Sequence, residues 1–264
     1  MTVPGITDWD DAYANIVHIP GGAEFPDRWL HDAAAFRATR APEAVGGGEF
    51  HLPEGAPRGL MVFIHGGYWM KFGPAWFSHL AQGALARGWA VLLPGYTLAP
   101  AGRLATMRDE IALQIAGAAA RVPGPIVLSG HSAGGHLAAR MICEDSPLKA
   151  LDRVARCLPI SGLFDLRPLQ RTAMAGDLGL DDATAAAESP LFHLPAAHVD
   201  LHVWVGADER PVFLQQSRLI ADAWAGIPRT TRLTVEPGRH HMDVIAGLTE
   251  AEHPLTEAVV DEVA

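Results

Sequence analysis

Short apolar runs separated by stretches long enough to hold helices set the tightest limit on what this chain can fold into. The runs are 60–64, 89–93, 126–129, 154–160 and 201–205, followed by a β-branched run at 231–235. Runs of this length without an alternating polar face read as strands buried on both sides. Between them the pattern predicts helices over 74–87, 103–121, 133–143 and 212–224, with two closing helices at 242–248 and 254–263. Strands that alternate with helices imply a mostly parallel sheet covered on both faces, which is an α/β architecture. Segment 167–198 lacks a clear period and is expected to form one or two short helices as a small cap or pocket wall. Upstream, 28–40 predicts a surface helix with Trp29, Ala33 and Phe36 on one face. Segment 49–52 predicts a short edge strand, and Gly46-Gly47-Gly48 reads as flexible, so no clear N-terminal strand pair is expected. Residues 1–25 are mixed and poor in core signals.

With 264 residues, 49% of them hydrophobic, the chain suffices for one large core, and a single domain over 1–264 is expected. The formal net charge of −10 and the lack of a Lys/Arg run argue against nucleic acid or an anionic membrane as partner. The two cysteines, Cys143 and Cys157, have no metal-type spacing and suggest buried thiols in a reducing compartment. No basic start with an apolar run opens the chain, and no segment approaches the ~18 apolar residues of a membrane span. A cytoplasmic protein is the expectation. Helices outside the sheet leave room for a homodimer.

Open sheets of this kind bind ligands beyond the C-terminal ends of their strands. His65-Gly66-Gly67-Tyr68 follows the 60–64 strand, and Ser132 follows 126–129 within Gly130-His131-Ser132-Ala133-Gly134. Asp208 and Glu209 follow 201–205, and His240 and His241 follow 231–235. The G-x-S-x-G pattern describes a sharp strand-to-helix turn with a nucleophilic serine at its tip. Serine needs a base to become nucleophilic, a histidine supplies it, and a carboxylate fixes the histidine's tautomer. The chain order serine, acid, histidine is that of the α/β-hydrolase arrangement. Ser132 is the expected nucleophile and Asp208 the expected acid, with Glu209 and Asp165 as alternatives. His240 and His241 compete for the base. Oxyanion donors are expected from the Ala133 N–H and from the backbone of Gly66, Gly67 and Tyr68. His65, His131 and His136 read first as structural groups. No histidine pattern with metal-ligand spacing occurs, so neither a metal nor a cofactor is expected.

The segments around these residues resemble the kynurenine formamidases of the α/β-hydrolase superfamily. His65-Gly66-Gly67-Tyr68-Trp69 resembles the family's HGGYW signature, and 130–138 its nucleophile segment. Segment 160–166 is similar to its next strand end, and Val205-Gly206-Ala207-Asp208-Glu209 to its acid loop. Gly238-Arg239-His240-His241-Met242-Asp243 resembles the histidine loop, in which an asparagine usually precedes the histidine and an aromatic follows. That register puts the base at His241. The resemblance implies hydrolysis of N-formyl-L-kynurenine to L-kynurenine and formate, without metal or cofactor, through a formyl group carried on Ser132. It also points to Tyr68, Trp69 and His131 as substrate contacts. A carboxylesterase for small or medium acyl esters is the alternative, and a catalytically silent hydrolase-like binding protein a second.

Overall fold

A computed structural model describes residues 5–261 and Val263. Its centre is an eight-stranded sheet formed by β1 (Glu43–Val45), β2 (Gly48–His51), β3 (Leu60–Ile64), β4 (Ala90–Leu93), β5 (Ile126–His131), β6 (Val154–Ile160), β7 (Asp200–Gly206) and β8 (Thr230–Glu236). The strand order is β1-β2-β4-β3-β5-β6-β7-β8. β1 and β2 form an antiparallel hairpin, β2 runs antiparallel to β4, and the remaining neighbours are parallel. This is the α/β-hydrolase fold.

The helices are α1 (Trp9–Tyr13), α2 (Phe25–Thr39), α3 (Gln82–Ala86), α4 (Leu104–Ala119), α5 (Ala133–Arg140), α6 (Ala175–Leu178), α7 (Asp182–Glu188), α8 (Pro211–Ala223) and α9 (Pro254–Val260). The central strands are apolar throughout because both sheet faces are covered. Leu60, Val62 and Ile64 of β3 pack into one core with residues of α1, α4, α5 and α8, while Met61 and Phe63 pack into another with residues of α2, α3 and α9. Trp29 fastens α2 to that second core, Phe36 packs against it, and Ala33 of the same helix is fully buried. Cys143 and Cys157 are buried free thiols, and burial pushes Cys143 up to about 12.

The hairpin of β1 and β2 departs from the expected pattern. Val45 pairs with Gly48, so Gly46-Gly47 is a two-residue turn, and Gly46 takes a φ of 58°. The helix expected over 74–87 is broken. 3₁₀ turns at Pro74–Trp76 and Ser78–Ala81 precede the short α3, where a Cβ on Gly83 would lie 2.6 Å from the Leu248 carbonyl oxygen. Of the helix expected at 242–248, only a 3₁₀ turn at Ala246–Thr249 forms. The one expected at 254–263 ends at Val260, and positions 262 and 264 lie outside the described residues, as do 1–4 of the expected domain. No helix among the described residues is long and apolar enough to cross a membrane.

Candidate active site

Ser132 sits between β5 and α5 with φ 56° and ψ −118°, a conformation non-glycine residues rarely adopt. The turn is tight because the backbones it joins nearly touch. A Cβ on Gly134 would lie 1.9 Å from the Ile64 carbonyl oxygen, and one on Gly130 would lie 2.4 Å from that of Gly134. The Ser132 N–H donates to the Ile160 carbonyl at 2.9 Å and its carbonyl accepts from the His136 N–H at 3.1 Å. Ala133 opens α5, so its N–H belongs to the first turn, where amides have no partner within the helix and favour a negative charge.

The loop after β3 lies against this turn. A Cβ on Gly66 would be 3.1 Å from the Ser132 Cβ, so the main chain of Gly66 is beside the nucleophile. Gly67, Tyr68 and Trp69 all have positive φ, at 107°, 50° and 58°. The Gly67 carbonyl accepts from the N–H groups of Met70 and Lys71, both at 3.0 Å. Tyr68 donates its hydroxyl to the Tyr13 carbonyl at 2.6 Å. His65 stacks on Tyr96 at 4.3 Å between centroids and hydrogen-bonds the Gly66 carbonyl at 2.8 Å, and burial lowers its pKa to about 4. It is therefore a neutral brace for the loop.

At the other side of the site, His241 Nδ1 lies 2.6 Å from Glu209 Oε2, and both residues are buried. Glu209 Oε1 accepts from the Gly206 N–H at 2.9 Å and from the Ser161 hydroxyl. Both carboxylate oxygens are thus engaged, which fixes the group and makes Nδ1 of His241 the protonated nitrogen. The expected acid, Asp208, is corrected by this geometry. Its side chain is exposed, and its N–H bonds the Arg239 carbonyl at 2.9 Å while the next residue turns inward. Asp165 is committed to Arg167 at 2.8 and 2.9 Å. His240 faces Asp243 at 3.1 Å and packs on Phe25, so His241 is the histidine that reaches the site.

Ser132, Gly66, Gly67, Tyr68, His131 and His241 line one cavity of about 500 Å³. Its other walls are mainly apolar or aromatic and include Ile16, Val17, Trp29, Met70, Phe72, Phe77, Met174 and Met242. Trp69, expected at the substrate, is instead fully buried in the core, its ring perpendicular to that of His136 with 5.1 Å between centroids. His136 accordingly is structural, bonded to the Glu188 carbonyl at 2.7 Å. His131 has its ring 4.5 Å from that of His241, and burial holds it neutral, well below the usual histidine range. Segment 167–198 forms the expected short helices and contributes Met174 to the wall, but residues 13–17, with Pro26 and Trp29, contribute more. Sequence reasoning missed that N-terminal wall and missed Ser161 as the support of Glu209. Among the described residues no group of three or more His, Cys, Asp or Glu side chains is placed to hold a metal ion.

Against known proteins, residues 61–262 match the profile of the alpha/beta hydrolase family. The chain is 26% identical over 214 residues to kynurenine formamidase of Salmo salar, covering 76% of this chain and 71% of that protein. It is 25% identical over 203 residues to kynurenine formamidase of Drosophila melanogaster, covering 70% and 67%. Among solved structures, a candidate thioesterase from Silicibacter sp. TM1040 is 40% identical and superposes with a TM-score of 0.89 over 96% of this chain and 98% of that one. A propionate-bound esterase of Thermogutta terrifontis, 22% identical, superposes at 0.59 over 74% and 79%, a likeness of fold.

Proposed function

Because the chain belongs to the alpha/beta hydrolase family, we propose that this hydrolase cleaves N-formyl-L-kynurenine to L-kynurenine and formate, a step of tryptophan breakdown, with Ser132, His241 and Glu209 as its working groups. The observation that carries the reading is the shared cavity. A strained serine and a carboxylate-held histidine open onto one pocket with aromatic walls, of a size suited to a small aromatic ligand. The relatives named kynurenine formamidase support the substrate.

In this mechanism His241 Nε2 takes the Ser132 proton as Oγ adds to the formyl carbon. The oxyanion is met by the N–H groups of Ala133 and of the Gly66–Tyr68 loop, each donor contributing about 2.7–4 kcal/mol to the transition state. Collapse breaks the C–N bond, and the proton held on His241 passes to the departing aryl amine. Water, deprotonated by His241, then releases formate from Ser132. Glu209 holds the ring and balances the imidazolium that forms twice in the cycle.

The 40%-identical structure described as a candidate thioesterase favours a second reading, acyl ester or thioester hydrolysis by the same groups. Rates measured side by side on N-formylkynurenine, p-nitrophenyl butyrate and a short acyl thioester separate the two. The formamide is expected to give the highest kcat/KM. Ester or thioester turnover that exceeds it by orders of magnitude overturns the formamidase reading.

A further inference from the structure

The walls of the cavity that holds Ser132 are almost free of charge. Among the described residues that line it, the two histidines aside, only Lys71 is charged at neutral pH. The chain has 30 acidic residues against 20 basic ones, and of the latter only Lys71 and Lys149 are lysines. Even so, the Lys71 side chain forms no ion pair or hydrogen bond among the described residues. The cavity is graded in depth. Ser132 and His241 are 3% and 4% exposed, whereas Val17 is 78% exposed and Lys71 is exposed as well. Lys71 therefore stands at the mouth, with the reacting groups at the buried end.

The main chain of Lys71 is fixed by the same turn that shapes the oxyanion loop. Its N–H donates to the Gly67 carbonyl at 3.0 Å, and a Cβ on Gly67 would lie 2.4 Å from the Lys71 carbonyl oxygen. Gly66, the residue before, lies beside Ser132. One tight turn of backbone thus separates the lysine from the nucleophile, and its flexible four-carbon stem carries the ammonium across the opening.

We propose that Lys71 is a specificity-determining residue that receives, at the mouth of the cavity, a carboxylate carried by the substrate's leaving group. The proposal rests on the formamide reading above and deepens it. In N-formyl-L-kynurenine the formyl nitrogen sits on an aromatic ring, and the neighbouring ring substituent ends in an amino acid several bonds away. With the formyl carbon at Ser132 Oγ, the ring occupies the apolar section of the cavity. The charged tail does not stay there, because an ionised group without a partner in apolar surroundings is strongly disfavoured. It extends to the mouth, where its carboxylate meets the one cation and its ammonium meets water. A charge-assisted hydrogen bond from Lys71 then favours this leaving group over one that ends in a neutral or cationic tail.

The test pairs N-formyl-L-kynurenine with N-formylkynurenamine, the same formanilide without the carboxylate, on native protein and on Lys71→Met, Lys71→Glu and Lys71→Arg. The side chain is exposed, so these changes leave the core untouched. In Lys71→Met the KM for N-formyl-L-kynurenine is expected to rise about fivefold or more with kcat within about threefold of native, and in Lys71→Glu to rise further. Lys71→Arg keeps the charge and is expected to stay within about threefold of native. For N-formylkynurenamine, whose tail is only cationic, KM is expected to stay or to fall in Lys71→Met and Lys71→Glu, because a repulsion is removed. A merely loosened loop would harm both substrates alike. A smaller rise for N-formyl-L-kynurenine in Lys71→Met, or one matched by N-formylkynurenamine, overturns the proposal. A native protein that cleaves no N-formyl-L-kynurenine defeats the formamide reading, and Lys71 is then read from inhibition of p-nitrophenyl butyrate hydrolysis by L-kynurenine and by kynurenamine. A Ki for L-kynurenine that rises about fivefold or more in Lys71→Met, with that for kynurenamine unchanged or lower, upholds the carboxylate site by itself. A smaller or matched change, or no inhibition by L-kynurenine, overturns it.

Discussion

Glu209 and Asp208 are adjacent, both acidic, and both just beyond β7, yet one is buried against His241 and the other is exposed. Residue type and position relative to the strand could not separate them. What separates them is the turn, in which Gly206 and Ser161 both donate to Glu209 Oε1. Ser161 has a φ of 51° at the end of β6, a conformation held by its N–H bond to the Trp204 carbonyl at 2.7 Å. Glu209→Gln is expected to lower kcat/KM about a thousandfold or more, since the amide no longer holds the imidazole tautomer or its cation. Asp208→Asn is expected to change it less than about threefold. The reverse ranking, measured on a p-nitrophenyl ester with folding checked by circular dichroism, would return the role to Asp208. Ser132 stood out because its motif restricts it, whereas strand order left His240 and His241 open and only the resemblance of the histidine loop pointed to His241. Trp69 was misread because an aromatic next to a site residue in sequence says nothing of which way a strained loop turns it.

At the level of elements, the parallel strands were readable almost to the residue, the central ones because a strand buried on both faces must be apolar and the half-exposed edge strand β8 through its β-branched residues. β3 and β6 are found at Leu60–Ile64 and Val154–Ile160, as expected, and the others differ at their ends by one or two residues. The hairpin of β1 and β2 was hidden for the opposite reason. β1 has three residues, none of them buried, so no burial pattern marks it, although Gly46-Gly47 carries the turn signal. The N-terminal wall was illegible because its placement depends on distant partners, Arg210 and Tyr68. The nucleophile turn gives a sharp test of how closely elements approach. Gly134→Ala would drive a methyl into the Ile64 carbonyl and is expected to destabilise by at least about 1–3 kcal/mol. Gly117→Ala, on the exposed side of α4 with its nearest neighbour 3.7 Å away, is expected to stabilise by about 0.4–1 kcal/mol. Urea midpoints at constant m-value read both, and a stable Gly134→Ala would contradict the close approach of α5 to β3.

For the whole molecule, the histidines decide how stability depends on pH. Burial lowers His65, His79 and His202 to about 4 and His136 to about 3, from an ordinary 6.5. In the unfolded chain these rings take up protons near pH 6.5, whereas in the folded protein they stay neutral until about pH 4. Between those limits the unfolded state binds more protons, so unfolding free energy falls as pH falls. At ~1.4 kcal/mol per unit, His65 alone represents on the order of 3 kcal/mol across that window. Asp200, lowered chiefly by its hydrogen bond from Arg229, acts in a different range. Its contribution is present above the unfolded carboxylate value and is lost as pH drops through its folded one, below about 3.8. Acid destabilisation is therefore expected to begin near pH 6.5, well before the paired carboxylates protonate. Urea unfolding at pH 7.5, 6 and 5 should show midpoints that fall steadily. His202→Gln, placed on β7 away from Ser132 with a side chain that can still reach Thr234 Oγ1, should flatten the slope by up to one proton's share. A native protein equally stable at all three pH values would mean that these rings are solvated or charged in the fold.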